Sequence, residues 1–256
     1  MAKLTWDATR GFDYRDIDFS LLFEGVNTVA TSQRYILDYG SGDRDEFRGH
    51  GFTYGFEGLP VGGTITSYSG MEGWLRTVRL DGVKISVSSL VKAASTFSTS
   101  DDRALIKKAL SGNDVITGDF WDDRLDGFAG KDKITGSLGA DKLYGGSGAD
   151  AFIYTRTLDS FGDVEDRSSM DTIFDFSSRQ KDKIDLRKID ANETLGGNQG
   201  FHWIGTADFG EQAGELRFER VGGGVHVETD ADGDGIADLT IFLRGISAMS
   251  KGDFYL

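Results

Sequence analysis

The feature that most constrains this chain is a nine-residue repeat that runs from Ala109 to Ile153. In consecutive blocks of nine, an aspartate stands at the sixth place, a large apolar residue follows two places later, and glycines recur around them. The aspartates are Asp114, Asp123, Asp132, Asp141 and Asp150, and the apolar residues are Ile116, Leu125, Ile134, Leu143 and Phe152. Such a period predicts a stack of similar structural units.

Each block predicts a tight turn at its glycines, which tolerate φ > 0, followed by a very short strand with one inward side chain. Two blocks make one circuit of a parallel β-helix, so equivalent loops stack 18 residues apart. The aspartates then line two edges, where their carboxylates repel each other. A cation that takes six to eight oxygen ligands removes that repulsion, and Ca²⁺ is such a cation. A glycine- and aspartate-rich loop without metal leaves the periodic apolar residues unexplained, so we predict several bound Ca²⁺ ions.

Charge is distributed unevenly along the chain. The net charge of −14 divides into −1 for residues 1–108 and −13 for residues 109–256. An acidic surface repels nucleic acid and anionic membranes, so we expect no nucleic-acid partner. No apolar run approaches the ~20 residues of a transmembrane helix, and the first residues lack the apolar segment of a signal peptide. The absence of cysteine excludes disulfides and thiolate chemistry.

The region before the repeat is predicted to be rich in β-strands. Alternating or aromatic runs predict strands at 34–39, 46–54, 63–68, 74–80 and 83–87, with glycine-containing turns between them. This pattern is typical of an antiparallel sandwich or a small curled sheet. Helices are expected at 88–97 and 99–110, the second with a capping signal at Thr99 and Asp102. We expect this second helix to cover the open end of the β-helix, where edge strands would otherwise be exposed.

From about Ser111 to the C-terminus, the sequence resembles the C-terminal domain of the serralysin family, which is shared with the calcium-binding modules of mannuronan epimerases and belongs to the RTX (repeats-in-toxin) proteins. The resemblance rests on the nonapeptides, on GGSGADAFIY (145–154), DS (159–160), DTIFDFS (171–177), DKIDL (182–186) and the terminal DFYL. It implies a parallel β-roll that folds on binding Ca²⁺. It also implies export from a Gram-negative cell by a type I secretion apparatus that reads an uncleaved C-terminal signal.

The resemblance also implies a ligand set in which loop carbonyls join the aspartates. Calcium sites are expected between Asp114 and Asp132, Asp123 and Asp141, and Asp132 and Asp150, with two more at Asp141/Asp159 and Asp150/Asp171. The implied carbonyl ligands belong to Gly112, Gly127, Ala129, Gly130, Gly136, Leu138, Gly139, Gly145, Gly146, Ser147 and Gly148. Trp121 replaces the second glycine of its loop, which leaves the geometry around Asp123 open.

A second candidate for calcium is the segment DADGDGIAD at 230–238. Asp230, Asp232, Asp234 and Asp238 match the early and ninth places of an EF-hand loop, but the twelfth place is Ile241 rather than glutamate. The flanking residues alternate as strands do. A metal site and a hairpin turn are both open interpretations, and we favour the hairpin turn.

No catalytic constellation stands out in the sequence. A zinc protease needs H-E-x-x-H, and no two of His50, His202 and His226 lie within four residues of each other. We therefore predict no protease and propose no catalytic residues. An enzyme that acts on polysaccharide, a haemophore-like carrier that uses His50, and a calcium-gated assembly protein remain alternatives.

The prediction is a mainly all-β protein with three regions. Residues 1–86 form an antiparallel β domain, residues 87–110 a short helical cap, and residues 111–256 a calcium-binding parallel β-roll followed by an antiparallel β-sandwich. We expect a secreted, extracellular, non-catalytic protein whose N-terminal domain binds a cell surface, a glycan or a protein partner.

Overall fold

The computed structural model describes residues 1–8, 10–56, 58–161, 170–192 and 194–256. The chain is mainly β-structure, as predicted, and forms two compact units. The N-terminal unit comprises Met1–Thr9 and Asp13–Val115, and the roll unit comprises Arg10–Phe12 and Ile116–Leu256. Among the described residues, no helix is long and apolar enough to cross a membrane.

The N-terminal unit contains an antiparallel sheet. Its strands, in spatial order, are β2, β3, β4, β5, β6 and β1. Their bounds are β1 Lys3–Trp6, β2 Val26–Ala30, β3 Arg34–Gly40, β4 Asp43–Tyr54, β5 Pro60–Glu72 and β6 Leu75–Ser86. The strands expected at 74–80 and 83–87 are one strand, because Gly82 at φ 73° forms a bulge rather than a turn.

Two helices follow the sheet and cover one of its faces. They are α1, Val87–Ala94, and α2, Thr99–Ala109, with Ser86 and Ser98 as their N-caps. The buried side of α1 carries Val87, Leu90, Ala93 and Ala94, a spacing that places them on one helical face. They enclose an apolar core with sheet residues such as Tyr35, Leu37, Phe47 and Ile65. Short 3-10 turns at Tyr14–Asp16 and Ser20–Phe23 pack against the helices.

The roll is built from very short strands, as the repeat predicts. They are β7 Val115–Thr117, β8 Arg124–Asp126, β9 Ala129–Gly130, β10 Lys133–Thr135, β11 Lys142–Tyr144, β12 Ser147–Gly148 and β13 Ala151–Ile153. Parallel pairs join residues 18 apart, such as Arg124 with Lys142 and Lys133 with Ala151. The apolar residue of each block is at most 1% exposed, so the inward side chains form a narrow core.

The later strands extend both sheets of the roll. They are β14 Thr172–Ile173, β15 Lys183–Asp185, β16 His202–Gly205, β17 Glu215–Val221, β18 Gly224–Asp230, β19 Leu239–Arg244 and β20 Phe254–Tyr255. One sheet runs β16, β17, β18, β19, β14, β11, β8, so the antiparallel strands β17–β19 join the roll's own sheet. In the other sheet, β15 lies beside β13 and β20 lies beside β15, both in parallel.

Candidate calcium sites

The aspartates of the roll form a ladder of side-chain hydrogen bonds. The backbone N–H of each of four aspartates donates to Oδ1 of the aspartate one circuit further on. The bonds are Asp123 to Asp141 (2.8 Å), Asp132 to Asp150 (2.9 Å), Asp141 to Asp171 (2.9 Å) and Asp150 to Asp182 (3.1 Å). This arrangement fixes every carboxylate in orientation and stacks successive carboxylates along each edge.

The second carboxylate oxygen of two of these aspartates indicates a cation site. The ladder aspartates are at most 2% exposed, and Oδ2 of Asp141 and of Asp150 is buried with no hydrogen-bond partner. Leaving a buried polar atom without a partner is costly, and the cost is larger when the atom carries charge. A bound cation would satisfy these oxygens, so the residues fit Ca²⁺.

The glycines that open the blocks leave room beside these oxygens. A Cβ placed on Gly127 would lie 2.5 Å from Oδ2 of Asp132 and 2.7 Å from the carbonyl oxygen of Gly145, one circuit further on. Gly118 faces the equivalent oxygens of Asp123 and Gly136. Side-chain and carbonyl oxygens thus converge in front of Gly118 and of Gly127. Oxygens of both kinds are the ligands that Ca²⁺ takes in proteins.

Burial makes these carboxyl groups hard to ionise without a cation. It raises the pKa of Asp123 to about 7 and that of Asp150 to about 6, although backbone N–H groups lower both. Burial also raises the pKa of Asp141 and of Asp171, and charge repulsion adds to both, from Asp123 on Asp141 and from Asp141 on Asp171. A divalent cation would reverse this effect by favouring the ionised forms.

Two of the expected aspartate pairs differ from the pairs that the ladder forms, and the position of calcium at this end of the roll stays a prediction. Asp141 and Asp150 were expected to pair with Asp159 and Asp171, but their ladder partners are Asp171 and Asp182. The chain between β13 and β14 is an insertion that breaks the spacing, so Lys142 pairs with Thr172 and Ala151 with Lys183.

Asp159 has a local role instead. It ends a 3-10 turn, Thr157–Asp159, and its carboxylate accepts the backbone N–H groups of Thr155 (2.7 Å) and Arg156 (3.0 Å). Arg156 also forms an ion pair with it at 3.0 Å. Asp159 is buried but does not stand in the register of the ladder.

Sequence reasoning missed two acidic residues of the roll. Asp182 is 1% exposed, and besides its ladder bond it accepts the N–H of Ser177 at 2.8 Å. Asp175 accepts the N–H groups of Gly145 and Gly146, both at 2.9 Å, and so fixes a loop that was expected to supply carbonyl ligands. The motifs DTIFDFS and DKIDL contain both aspartates and were the available signal.

The loop that contains Trp121 differs from its neighbours. Asp119 N–H donates to Oδ2 of Asp123 at 2.9 Å, and Trp121 N–H donates to Oδ1 of Asp119 at 3.0 Å. Oδ2 of Asp123 therefore has a partner within the protein, unlike Oδ2 of Asp141. Trp121 itself is half exposed at the surface.

Residues near the N-terminus complete the ladder at its start. Phe12 N–H donates to Oδ1 of Asp123 at 2.5 Å, and Arg124 N–H donates to the carbonyl of Phe12 at 2.6 Å. Phe12 thus takes the place of a residue one circuit before Asp123. Within the N-terminal unit, Ala2 N–H donates in the same way to Oδ1 of Asp114.

The segment at 230–238 is the connection of an antiparallel hairpin, since β18 ends at Asp230 and β19 begins at Leu239. Asp230 accepts the N–H groups of Gly233 (2.6 Å) and Gly235 (2.9 Å). Carboxylate oxygens of Asp230, Asp232 and Asp238 lie within 4.8 Å of one another, whereas Asp234 is not part of that group. A calcium ion at this loop stays a prediction.

The roll and its carboxylate ladder define a calcium-binding protein of the RTX type. Residues 83–256 match the family model described as peptidase M10 serralysin C terminal, so the chain belongs to that family.

Two solved structures of mannuronan C5-epimerase subunits from Azotobacter vinelandii are similar to the chain. The AlgE6R3 subunit is 27% identical, with a TM-score of 0.41, over 57% of this chain and 74% of that one. The AlgE6R2 subunit is 25% identical, with a TM-score of 0.38, over 56% and 88%. No curated protein matches the chain.

Proposed function

We propose that this protein is exported through a type I secretion apparatus and that its roll folds on Ca²⁺ outside the cell. The observation that carries the proposal is the ladder of buried carboxylates, in which Oδ2 of Asp141 and of Asp150 has no partner. Without metal these charges oppose folding. With metal, the free energy of binding becomes free energy of folding.

The difference in Ca²⁺ concentration between the cytosol and the outside of the cell would determine where the roll folds. Extracellular calcium modules have dissociation constants of ~10⁻⁴–10⁻³ M, so cytosolic Ca²⁺ would leave such sites empty. The packing of β20 supports the same order of events. Phe254 is 6% exposed and β20 pairs with β15, so an export signal that includes Phe254 would be less accessible once the roll has folded.

A calcium titration of the full chain, followed by circular dichroism and calorimetry, tests the proposal. We expect β-structure to increase with Ca²⁺ and several ions to bind. Asp141→Asn should weaken calcium binding, whereas the exposed control Asp7→Asn should not. A full chain that is equally folded in chelator and binds no Ca²⁺ would falsify the proposal.

The N-terminal unit is proposed to bind an extracellular partner through the face of its sheet that the helices leave uncovered. Strand register places Arg34, Arg48 and Lys3 in one row of this face, together with Asp81, and Arg79 in the next row, together with Glu46. Arg34 and Arg48 form ion pairs with Glu46, and Arg79 forms one with Asp81. The side chains of Arg48 and Arg79 are 63% and 49% exposed. These four basic side chains against two carboxylates leave a positive excess in the two rows, and in a chain of net charge −14 such a surface favours an anionic glycan.

Binding to a polyuronate such as alginate tests this role. We expect binding that weakens as salt rises, because exposed charges are screened, and that falls in the double variant Arg48→Ser, Arg79→Ser. Lys251→Ser, an exposed site in the roll unit, is the control. Equal binding by all three proteins would argue against the sheet face.

The haemophore-like alternative has less support. A cavity of about 30 Å³ lies between the sheet and α1, with an apolar lining that includes Leu37, Phe47 and Leu90. Ligand pockets usually measure about 300–1,000 Å³. His50 is exposed on β4 and is not part of this lining.

A further inference from the structure

A histidine and two glutamates meet on the hairpin formed by β17 and β18, away from the aspartate ladder. Glu219 lies directly opposite His226, and Glu228 follows His226 by two residues on the same strand, so all three side chains share one face. One ligand atom from each lies within 4.8 Å of the others. We call these residues the histidine–glutamate cluster.

We propose that the histidine–glutamate cluster binds a transition-metal dication of the Zn²⁺ class. An imidazole nitrogen with two carboxylates is a donor set that zinc accepts, with bonds of about 2.0–2.2 Å. Ca²⁺ is coordinated by oxygen ligands and does not favour an imidazole nitrogen. The site is therefore chemically distinct from the calcium sites of the ladder.

The strand geometry brings the ligands together without a special loop. Side chains two residues apart on a strand point the same way, and a directly opposite residue on the next strand stands about 5 Å away. Nδ1 of His226 and Oε1 of Glu228 are 3.9 Å apart. Two ligands of a tetrahedral zinc ion lie about 3.3 Å apart, given bonds near 2.0 Å, so a small side-chain rotation closes the site.

Arg217 stands directly opposite Glu228 and contacts both glutamates of the cluster, with a guanidinium nitrogen 3.8 Å from Oε2 of Glu219. Its Nε donates to Oε2 of Glu228 at 2.7 Å, which leaves Oε1 of the same carboxylate turned toward His226. A metal-binding carboxylate commonly has its other oxygen held in this way. Arg217 is itself held by an ion pair with Asp208 at 2.9 Å and by packing over the ring of Phe209.

The cluster is buried at Glu228 and open to solvent at Glu219. Glu228 is 9% exposed, and the ring of His226 packs edge-on against Phe242 with centroids 5.8 Å apart. Glu219 is exposed, so the metal can enter from solvent. Three protein ligands with one side open leave a coordination position for water.

Metal titration of the full chain in saturating Ca²⁺ tests the proposal, because circular dichroism then shows independently that the roll is folded. We expect one Zn²⁺ per chain by equilibrium dialysis, and a visible absorption band with Co²⁺ as the probe. A large excess of Ca²⁺ should not displace either ion. Absence of the band, or displacement by Ca²⁺, overturns the proposal.

Variants locate the site. Glu219→Gln removes an exposed ligand without disturbing the core and should weaken Zn²⁺ binding by at least about tenfold, as should His226→Gln. His202→Gln, on β16 of the same sheet, is the matched control and should bind as the parent does. If His202→Gln removes the site, or if Glu219→Gln and His226→Gln both retain it, the cluster is not the site.

Arg217→Gln tests the orienting role. We expect a 10- to 100-fold loss of Zn²⁺ affinity, the usual effect of removing such an outer contact. The plain alternative is that Arg217 is simply the counter-ion of the two glutamates. In that case its removal would strengthen metal binding, and that result overturns the assignment of Arg217.

Discussion

At the scale of single residues, the glycines that open the blocks act through the side chain that they lack. Gly118, Gly127, Gly136 and Gly145 each stand beside an aspartate Oδ2, at a distance that a Cβ could not occupy. Gly127 does not adopt a positive φ, so its requirement for glycine is steric rather than conformational. The repeat keeps glycine there because oxygens must converge at that point.

Gly127→Ala should therefore damage one calcium site. The added Cβ would lie 2.5 Å from Oδ2 of Asp132, so the carboxylate must move. We expect weaker Ca²⁺ binding by calorimetry and a loss of about 1–3 kcal/mol in the free energy of unfolding with Ca²⁺ bound. Gly112→Ala is the matched control, since its Cβ would meet nothing closer than 3.8 Å. Equal effects of the two variants would contradict this account.

Asp182 and Asp159 allow a comparison between two buried aspartates. Asp182 stands in the ladder and Asp159 caps a turn. Asp182→Asn keeps the shape but removes the charge, and we expect one Ca²⁺ fewer per chain. Asp159→Asn should retain every ion and lose about 0.5–2 kcal/mol of stability, the usual value of a cap. Counting bound calcium in both variants distinguishes the two roles. Loss of an ion in Asp159→Asn but not in Asp182→Asn would favour the pairing of Asp141 with Asp159 that the spacing predicts.

At the scale of elements, the sequence predicts the roll only where its spacing is constant. The period of 18 residues gives the register of β8 with β11 and of β10 with β13. After β13 the distances between ladder partners become 30 and 32 residues. Periodicity cannot reveal a pairing across an insertion, so it does not identify Asp182, and it pairs Asp141 with Asp159 where the ladder pairs Asp141 with Asp171.

The contact at the start of the roll has no signal in the sequence, for a reason other than an insertion. Phe12 enters the ladder across 111 residues of sequence and belongs to no repeat. It takes part through its backbone N–H and carbonyl groups, which every residue type except proline can supply, so the sequence carries no signal for this contact. The short strands β1 and β2 were missed because four or five residues give too little alternation to detect.

The ladder also predicts how the stability of the roll depends on pH. Burial raises the pKa of Asp123 from 3.8 to about 7 and that of Asp150 to about 6. The folded, metal-free roll thus binds protons more tightly than the unfolded chain does. This stabilisation is complete below about pH 4 and is lost as the pH rises through 6 to 7.

We therefore expect opposite trends with and without metal. In chelator, the free energy of unfolding should fall as the pH rises from 5 to about 8, by the order of a few kcal/mol. With Ca²⁺, which displaces the protons, apparent calcium affinity should rise over the same range. Urea unfolding at several pH values measures both. Stability in chelator that increases with pH would contradict the burial of these carboxyls.

At the scale of the whole molecule, the change in net charge along the sequence falls close to the boundary between the two compact units. The acidic half of the sequence, with net charge −13, begins at the repeat, and residues 1–108 carry a net charge of only −1. The roll unit holds the buried carboxylates from Asp123 onward. The core of the N-terminal unit is instead apolar, formed between a sheet and two helices. The proposed function therefore makes the stability of the roll unit depend on metal, whereas that of the N-terminal unit rests on hydrophobic burial.

Calorimetry of the full chain at increasing Ca²⁺ concentrations should show this division. A ligand that binds only the folded state stabilises it by RT ln(1 + [L]/Kd), about 2.7 kcal/mol per site at one hundred times Kd. We expect one unfolding transition whose Tm climbs with Ca²⁺, because several sites add their effects, and a second whose Tm changes little. Mg²⁺, which demands shorter bonds and octahedral geometry, should not reproduce the shift. A single transition that Ca²⁺ leaves unmoved would mean that the ladder stabilises its carboxylates by proton binding alone.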